Sequence, residues 1–198
     1  AGQIRVAREF GIDHVSAISD PAVESHDCGA EVVFAPDSPP ANDEVNALLA
    51  DPARLPTLKV PDPRRPGSRM ANRLETIRRL KNQLGATHAV EGWIEGPVAE
   101  SADLRGINTL MMDYYDDPDF VRSLADFVVD MELRFAAAQV EAGADVIGIG
   151  DAAASLLSRD LYDAFAWPWE KRLVDGVHAL GAKARLHVCG NTLHLVDA

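Results

Sequence analysis

Residues 142–151 read AGADVIGIGD. Gly143 follows a long amphipathic stretch and suits the turn that closes a helix. The apolar run that comes next stops at Asp151. A strand apolar on both faces belongs inside a parallel sheet covered by helices. The same construction recurs at Gly11-Ile12-Asp13 and at Gly181-Ala182-Lys183. Working outward from these joints, four buried strands are expected at 14–19, 88–94, 144–150 and 182–189. Helices are expected at 68–84, 118–142 and 159–180, the last capped by Ser158. The chain opens in an amphipathic helix whose apolar positions are Ile4, Val6, Ala7 and Phe10. Residues 31–34 read as a short extra strand, and 36–66 as a Pro-rich excursion with a helical turn or two within 42–49.

Alternating helices and apolar strands define an α/β protein. There is no G-x-G-x-x-G and no P-loop, so a nucleotide-binding doubly wound sheet lacks its phosphate turn. Polar residues gather instead just after each strand: Asp20, then Glu95 and Glu100, then Asp151, then Cys189 and Asn191. That distribution is the habit of a (β/α)8 TIM barrel, of which four strands are about half, although open sheets also bind ligands there. Residues 1–198 therefore read as one partial barrel domain. The opening inside a helix, and the element begun by Leu193, Leu195 and Val196, read as the ends of a piece of a longer protein.

The 198 residues are 47% hydrophobic and 25% charged, an ordinary globular composition. A net charge of −12 leaves no basic face for nucleic acid, and Arg64-Arg65 reads as solvated loop. No apolar run reaches a membrane span. Two cysteines are too few for a disulfide framework, which points to a reducing cytoplasm.

On the last strand, residues two apart share a face. Lys183, Arg185, His187 and Cys189 therefore point one way, into the barrel, and Ala184, Leu186 and Val188 the other. His and Cys at this spacing can supply two N/S ligands of a tetrahedral zinc ion. On spacing alone, a buried thiol beside a hydrogen-bonded imidazole is the commoner meaning. A second constellation, EGWIEGPVAESADLRG, sets Glu91, Glu95, Glu100, Asp103 and Arg105 around a strand end, with Gly96-Pro97 as the turn. Asp103 and Arg105 there either meet substrate or brace a helix, while Glu91, inside an apolar strand, needs a partner. Asp20 either serves the site or starts a turn, and Asp151 either serves it or caps residues 152–156. Cys28 reads as structural, and Trp167 and Trp169 as packing residues.

Four stretches, ISDPAVESHDCGAEVVF, EGPVAESADLRG, AGADVIGIGDAAASLLSRDLYDAFAWPWEKRL and GAKARLHVCGNT, cover most of residues 10–195. In them the chain resembles the uroporphyrinogen decarboxylase superfamily, and within it the zinc-dependent corrinoid methyltransferase branch. The resemblance implies a (β/α)8 barrel of more than three hundred residues and a methyl-corrinoid co-substrate. It implies a zinc ion held by His187, Cys189 and a later Cys beyond Ala198, and a partner that is a corrinoid protein or free methylcobalamin. A small-molecule acceptor would take the methyl group, with Glu95, Glu100 or Asp151 orienting it or taking its proton, and with Asp103, Arg105 and Asn191 in contact with substrate. The decarboxylase itself is the alternative, because Asp20 matches the aspartate that contacts the pyrrole nitrogens in that enzyme. Against it, Asp103 stands where the decarboxylase carries a tyrosine. A third reading is a non-catalytic corrinoid or porphyrin binding module.

Overall fold

The computed structural model describes residues 2–196. Ala1, Asp197 and Ala198, the outermost positions of the expected 1–198 domain, lie outside the described residues. In chain order the elements are α1 (Gly2–Phe10), β1 (His14–Ser16), α2 (Val23–Cys28), β2 (Val32–Val33), β3 (Ala41–Asn42), α3 (Arg69–Leu84) and β4 (Ala89–Glu95). There follow α4 (Pro97–Arg105), α5 (Ile107–Asp116), α6 (Pro118–Glu141), β5 (Val146–Gly150), α7 (Arg159–Phe165), α8 (Trp167–Ala179) and β6 (Lys183–His187). Short 3-10 turns lie at Pro52–Thr57, Ala152–Leu156 and Leu193–Leu195.

The main sheet has the order β1-β4-β5-β6, all parallel. Spatial order follows chain order, without the reversal that makes the switch point of a doubly wound sheet. With helices in the crossovers, this is the construction of a (β/α)8 barrel carried through four strands. β2 and β3 pair antiparallel as a small separate ribbon.

The joints form as the glycine pattern requires. Gly11, Gly143 and Gly181 take φ of 64°, 111° and 82°, a region that costs a residue with a Cβ and costs glycine little. Ser68 accepts from the Ala71 amide at 3.0 Å and Ser158 from that of Leu161 at 3.3 Å, so both serve as helix N-caps. α6 opens with Pro118 just inside its start and with Asp117 accepting from the Phe120 amide.

Two apolar bodies result. One lies between the sheet and α3, α6 and α8, with Val90, Ile94, Ile147 and Ile149 from the strands against Leu74, Ile77, Phe135 and Leu173. The other gathers Val98, Leu104, Leu110, Leu124, Phe165 and Leu49. It anchors α4, α5 and α7 over the carboxyl ends of the strands, and so it fixes the roof of the site.

Several boundaries differ from the sequence reading. β1 ends at Ser16 rather than 19, and β6 at His187. Cys189 is thus in the loop beyond the strand and not on its face. The helix expected at 159–180 breaks at Ala166, because Pro168 supplies no amide for a continuous helix and instead sits in the first turn of α8. Asn42 ends β3 and residues 43–49 form a loop of turns, while the helical turn of that excursion falls at Pro52–Thr57. Gly96-Pro97 is no simple turn. Gly96 is the N-cap of α4 and Pro97 its first residue. Trp169 packs as expected, whereas Trp167 is 45% exposed.

Candidate functional site

The inner face of the sheet is set by strand alternation. Val90 and Ile94 of β4 enter the core beside the helices, which turns Glu91, Trp93 and Glu95 the other way. Glu91 is fully buried and receives a two-pronged bond from Arg185 of β6, at 2.6 and 2.8 Å. The Arg185 guanidinium also lies 5.7 Å from the Trp93 ring. Between these side chains runs β5, whose Gly148 leaves the room they need. A Cβ there would stand 2.4 Å from Trp93 Cε3 and 3.0 Å from Glu91 Oε1.

Above this layer two hollows open at the carboxyl ends of the strands. One, of about 270 Å³, is lined by Asp20, Trp93, Glu95 and His187 among others. The other, of about 510 Å³, is lined by Glu95, Asp103 and Cys189 with the apolar side chains of α4 and of the turn after β5. Pro21, Glu95 and Ala152 belong to both. Glu95 stands at their junction, 7% exposed, with the Trp93 indole N–H donating to its Oε1 at 2.9 Å. Burial and then the nearby Glu24 charge push its carboxyl well above the usual range. Asp103 is pushed up to about 7, chiefly by burial, against a hydrogen bond from Asn42.

The structure thus brings together five of the residues singled out in the sequence: Asp20, Glu95, Asp103, His187 and Cys189. His187 and Cys189 are both exposed. Asp20 accepts from Arg69 at 2.6 Å through Oδ2, and its Oδ1 is buried without a partner.

Four others stand apart from both hollows. Arg105 is buried and committed to the fold: it bonds Asp113 through Nε and Nη2, and the Leu49 and Ala50 carbonyls through Nη1. Asp151 lies under the start of α4, where it accepts from the Val98 and Ala99 amides at 3.3 and 2.7 Å. It therefore caps α4, not the turn that follows it. Gly96 is what admits it, since a Cβ at that position would stand 2.3 Å from Asp151 Cβ. Asp151's own amide donates to the His187 carbonyl at 2.9 Å, so one residue ties β6 to α4. Glu100 is fully buried with both oxygens unpartnered. Asn191 is exposed in the loop after β6.

A buried polar group that the sequence reading missed lies against the backbone of Trp93 and Asp20. Arg73 of α3 donates to Glu24 and to the Trp93 carbonyl, each at 3.0 Å, and to the Asp20 carbonyl at 3.3 Å. Glu24, Glu100 and Glu132 share this interior, all fully buried. Burial raises Glu24 to about 7 against the pull of Arg73, and raises Glu100 and Glu132 well above the usual range. One signal was available, since Arg73 falls among Met70, Leu74 and Ile77 on the inward stripe of α3.

Zinc takes N and S donors of the kind His187 and Cys189 offer. Among the described residues no group of three or more His, Cys, Asp or Glu side chains could hold a metal ion. The described residues therefore hold two donors of suitable chemistry and not a full set.

The family model "Uroporphyrinogen decarboxylase (URO-D)" matches residues 1–198. The chain belongs to the uroporphyrinogen decarboxylase family. Among its relatives in that family is the methylcobamide:CoM methyltransferase MtbA of Methanosarcina mazei, 32% identical over 126 residues, which are 63% of this chain and 37% of the relative. MtbA of Methanosarcina acetivorans is 33% identical over 60% of this chain and 35% of its own. A uroporphyrinogen decarboxylase of Aliarcobacter butzleri is 27% identical over 80% of this chain and 46% of its own. Among solved structures, a methyltransferase from Methanosarcina mazei superposes with a TM-score of 0.82 at 26% identity, over 96% of this chain and 55% of that one. The match thus spans about a third to a half of these relatives' length, as a partial barrel would. Among the described residues no helix is long and apolar enough to cross a membrane.

Proposed function

We propose that residues 1–198 are one partial barrel domain of a corrinoid methyltransferase, which moves a methyl group from a methyl-corrinoid to a thiol. The observation that carries this reading is the placement of His187 and Cys189, accessible at the carboxyl end of the sheet and lining two hollows that meet at Glu95. The likeness to MtbA supports it. The corrinoid arrives on a protein or as free methylcobalamin, and a small molecule accepts the methyl group. In the transfer, the acceptor sulfur gives an electron pair to the methyl carbon. The cobalt–carbon bond breaks with its pair left on the corrinoid, and the thiol proton goes to solvent or to a basic side chain.

His187 and Cys189 would hold a zinc ion together with a third donor from elsewhere in the full-length protein. Zinc supplies a lowered pKa to a thiol bound beside it. The remaining work falls to this chain's own side chains. Glu95, held by the Trp93 indole, is placed to take or return a proton where the hollows join. Asp151 holds α4, and with it Asp103, against the end of β6. Both cysteines are free thiols, which suits the cytoplasm.

The test is zinc content and thiol-dependent demethylation of methylcobalamin by the full natural-length protein, alongside His187→Ala and Cys189→Ser. Loss of both properties in the variants supports the reading, and unchanged metal and activity remove it. One observation favours the alternative of tetrapyrrole decarboxylation: the buried, unpartnered Oδ1 of Asp20, an acceptor that a pyrrole N–H could fill. Carbon dioxide release from uroporphyrinogen, abolished by Asp20→Ala, would establish it.

A further inference from the structure

Gly92, Gly148, Gly150, Gln139, Arg73 and Arg185 converge on one residue of the inner face, Trp93. Its ring lies along β5 over two positions that have no side chain. Added Cβ atoms would stand 2.4 Å from Cε3 at Gly148 and 2.7 Å from Cζ2 at Gly150. The backbone of Trp93 is fixed from the other side. β1 pairs with β4 only as far as Glu91, so the Trp93 amide and carbonyl meet no strand there among the described residues. Gln139, fully buried on α6, accepts from the amide at 2.8 Å and donates to the carbonyl at 2.9 Å. It passes Gly92 on the way, where a Cβ would stand 2.4 Å from its Oε1. Arg73 donates to the same carbonyl at 3.0 Å, and Arg185, clamped by Glu91, faces the ring at 5.7 Å.

What this hold determines is the direction of the indole N–H. Cε3 lies over Gly148, while Cε2, bonded to the nitrogen, lies over Gly150, so the N–H points toward the carboxyl ends of the strands. There it meets Glu95, two residues on and on the same face of β4, and donates to Oε1 at 2.9 Å. With Oε1 held, Oε2 stands over Gly150, 3.1 Å from the place of a Cβ. Gly150 is the register partner of His187, so this oxygen is turned toward β6. The bond acts on the proton as well as on the geometry. Burial and the Glu24 charge favour the neutral carboxyl, and the indole donor favours the carboxylate, the form able to accept a proton.

We propose that Trp93 is a positioning residue of the methyl transfer: by holding Oε1 of Glu95 it makes Oε2, over Gly150, the oxygen that takes the proton of the acceptor thiol. The S–H bond breaks with its electron pair left on sulfur and its proton on Oε2, and the sulfur then attacks the methyl carbon. In the reverse transfer the same oxygen returns the proton. This deepens the methyl-transfer reading and rests on it.

The test is made on the full natural-length protein, with thiol-dependent demethylation of methylcobalamin as the assay. Trp93→Phe keeps a ring on the glycine shelf and loses the donor. It should lower kcat about tenfold or more and leave KM for methylcobalamin unchanged. In a Glu95→Gln background the same substitution should cost nothing further, because the two residues act as one unit. Gly148→Ala, which tilts the ring and keeps its N–H, should lower kcat by a smaller factor, and it carries the test if Trp93→Phe fails to fold. A measurement free of turnover accompanies these. In protein labelled at the tryptophan nitrogens, the Trp93 indole proton, identified by its loss in Trp93→Phe, should move upfield in Glu95→Ala. An unchanged kcat, an equal cost with and without Glu95, or an indole proton that ignores Glu95 overturns the proposal. Failure of the underlying reading looks different: the unsubstituted protein would then leave methylcobalamin methylated with every thiol offered, and the part assigned to Trp93 would fall with it.

Discussion

Asp151 accepts a hydrogen bond from the Ala99 amide at 2.7 Å, capping a helix that lies 52 residues earlier in the chain. Its carboxyl is pushed well above the usual range by burial and by the nearby Glu170, which receives the Tyr162 hydroxyl at 2.5 Å. Loss of this cap in Asp151→Ala should cost about 1–2 kcal/mol. Asp151→Asn, which keeps an accepting oxygen, should cost less. Urea unfolding of the three proteins measures both.

Arg73 and Glu24 are a buried pair whose members are unequal in what they leave behind. Arg73→Met strands a carboxyl already crowded by Glu132 and Glu95 and should destabilise by about 3–5 kcal/mol. Adding Glu24→Gln should recover part of that, so that the double variant is more stable than the sum of the single ones predicts. A double-mutant cycle by chemical denaturation gives the coupling.

Acidity should act on the fold through the same interior. Glu24 moves from 4.5 to about 7 and Asp103 from 3.8 to about 7. A carboxyl that holds its proton more tightly when folded contributes its full stability below its unfolded value, and that contribution is lost as pH rises through the folded one. Stability should therefore decline as pH climbs from the ordinary carboxylate range through about 7. Asp145, lowered with the help of Lys81, titrates below that window and leaves the slope alone. Asp103→Asn should flatten the decline, as read from melting temperatures taken across the window.

Gly148 tests the packing of the inner face. Gly148→Ala sets a methyl against the Trp93 ring. It should cost about 1–3 kcal/mol by overpacking and should shift the indole emission. Gly11→Ala, where nothing lies within 4 Å of the new carbon, should strain only its own positive φ and leave that emission unchanged.

How far the sequence discloses this molecule depends on the range of the interaction concerned. The glycine joints and the caps at Ser68 and Ser158 are settled within four or five residues, and so they are readable along the chain. So was the need of Glu91 for a partner, because a carboxylate in an apolar strand has no local way to be satisfied. That the partner is Arg185, two strands away, was not readable. α4 was missed because Gly-Pro serves equally well as a turn and as a helix start, and what decides is the carboxylate of Asp151 arriving from a distant strand. Arg105 looked like a substrate contact for the same reason: Asp113 and the loop carbonyls that occupy it meet it only in the folded chain. His187 and Cys189 were placed near each other by spacing, while their neighbour Glu95 required the sheet register Glu95 to Gly150 to His187.

The two sulfhydryls offer an unplanned convenience. Cys28 lies against Met131 with its thiol 3.2 Å from the thioether, and burial beside Glu132 and Glu24 pushes its ionisation far upward. Cys189 is exposed. In the folded, metal-free chain an alkylating dye should therefore label a single position, at the very mouth of the site. A fluorophore installed there would report occupancy of the hollow directly, without engineering a new attachment point.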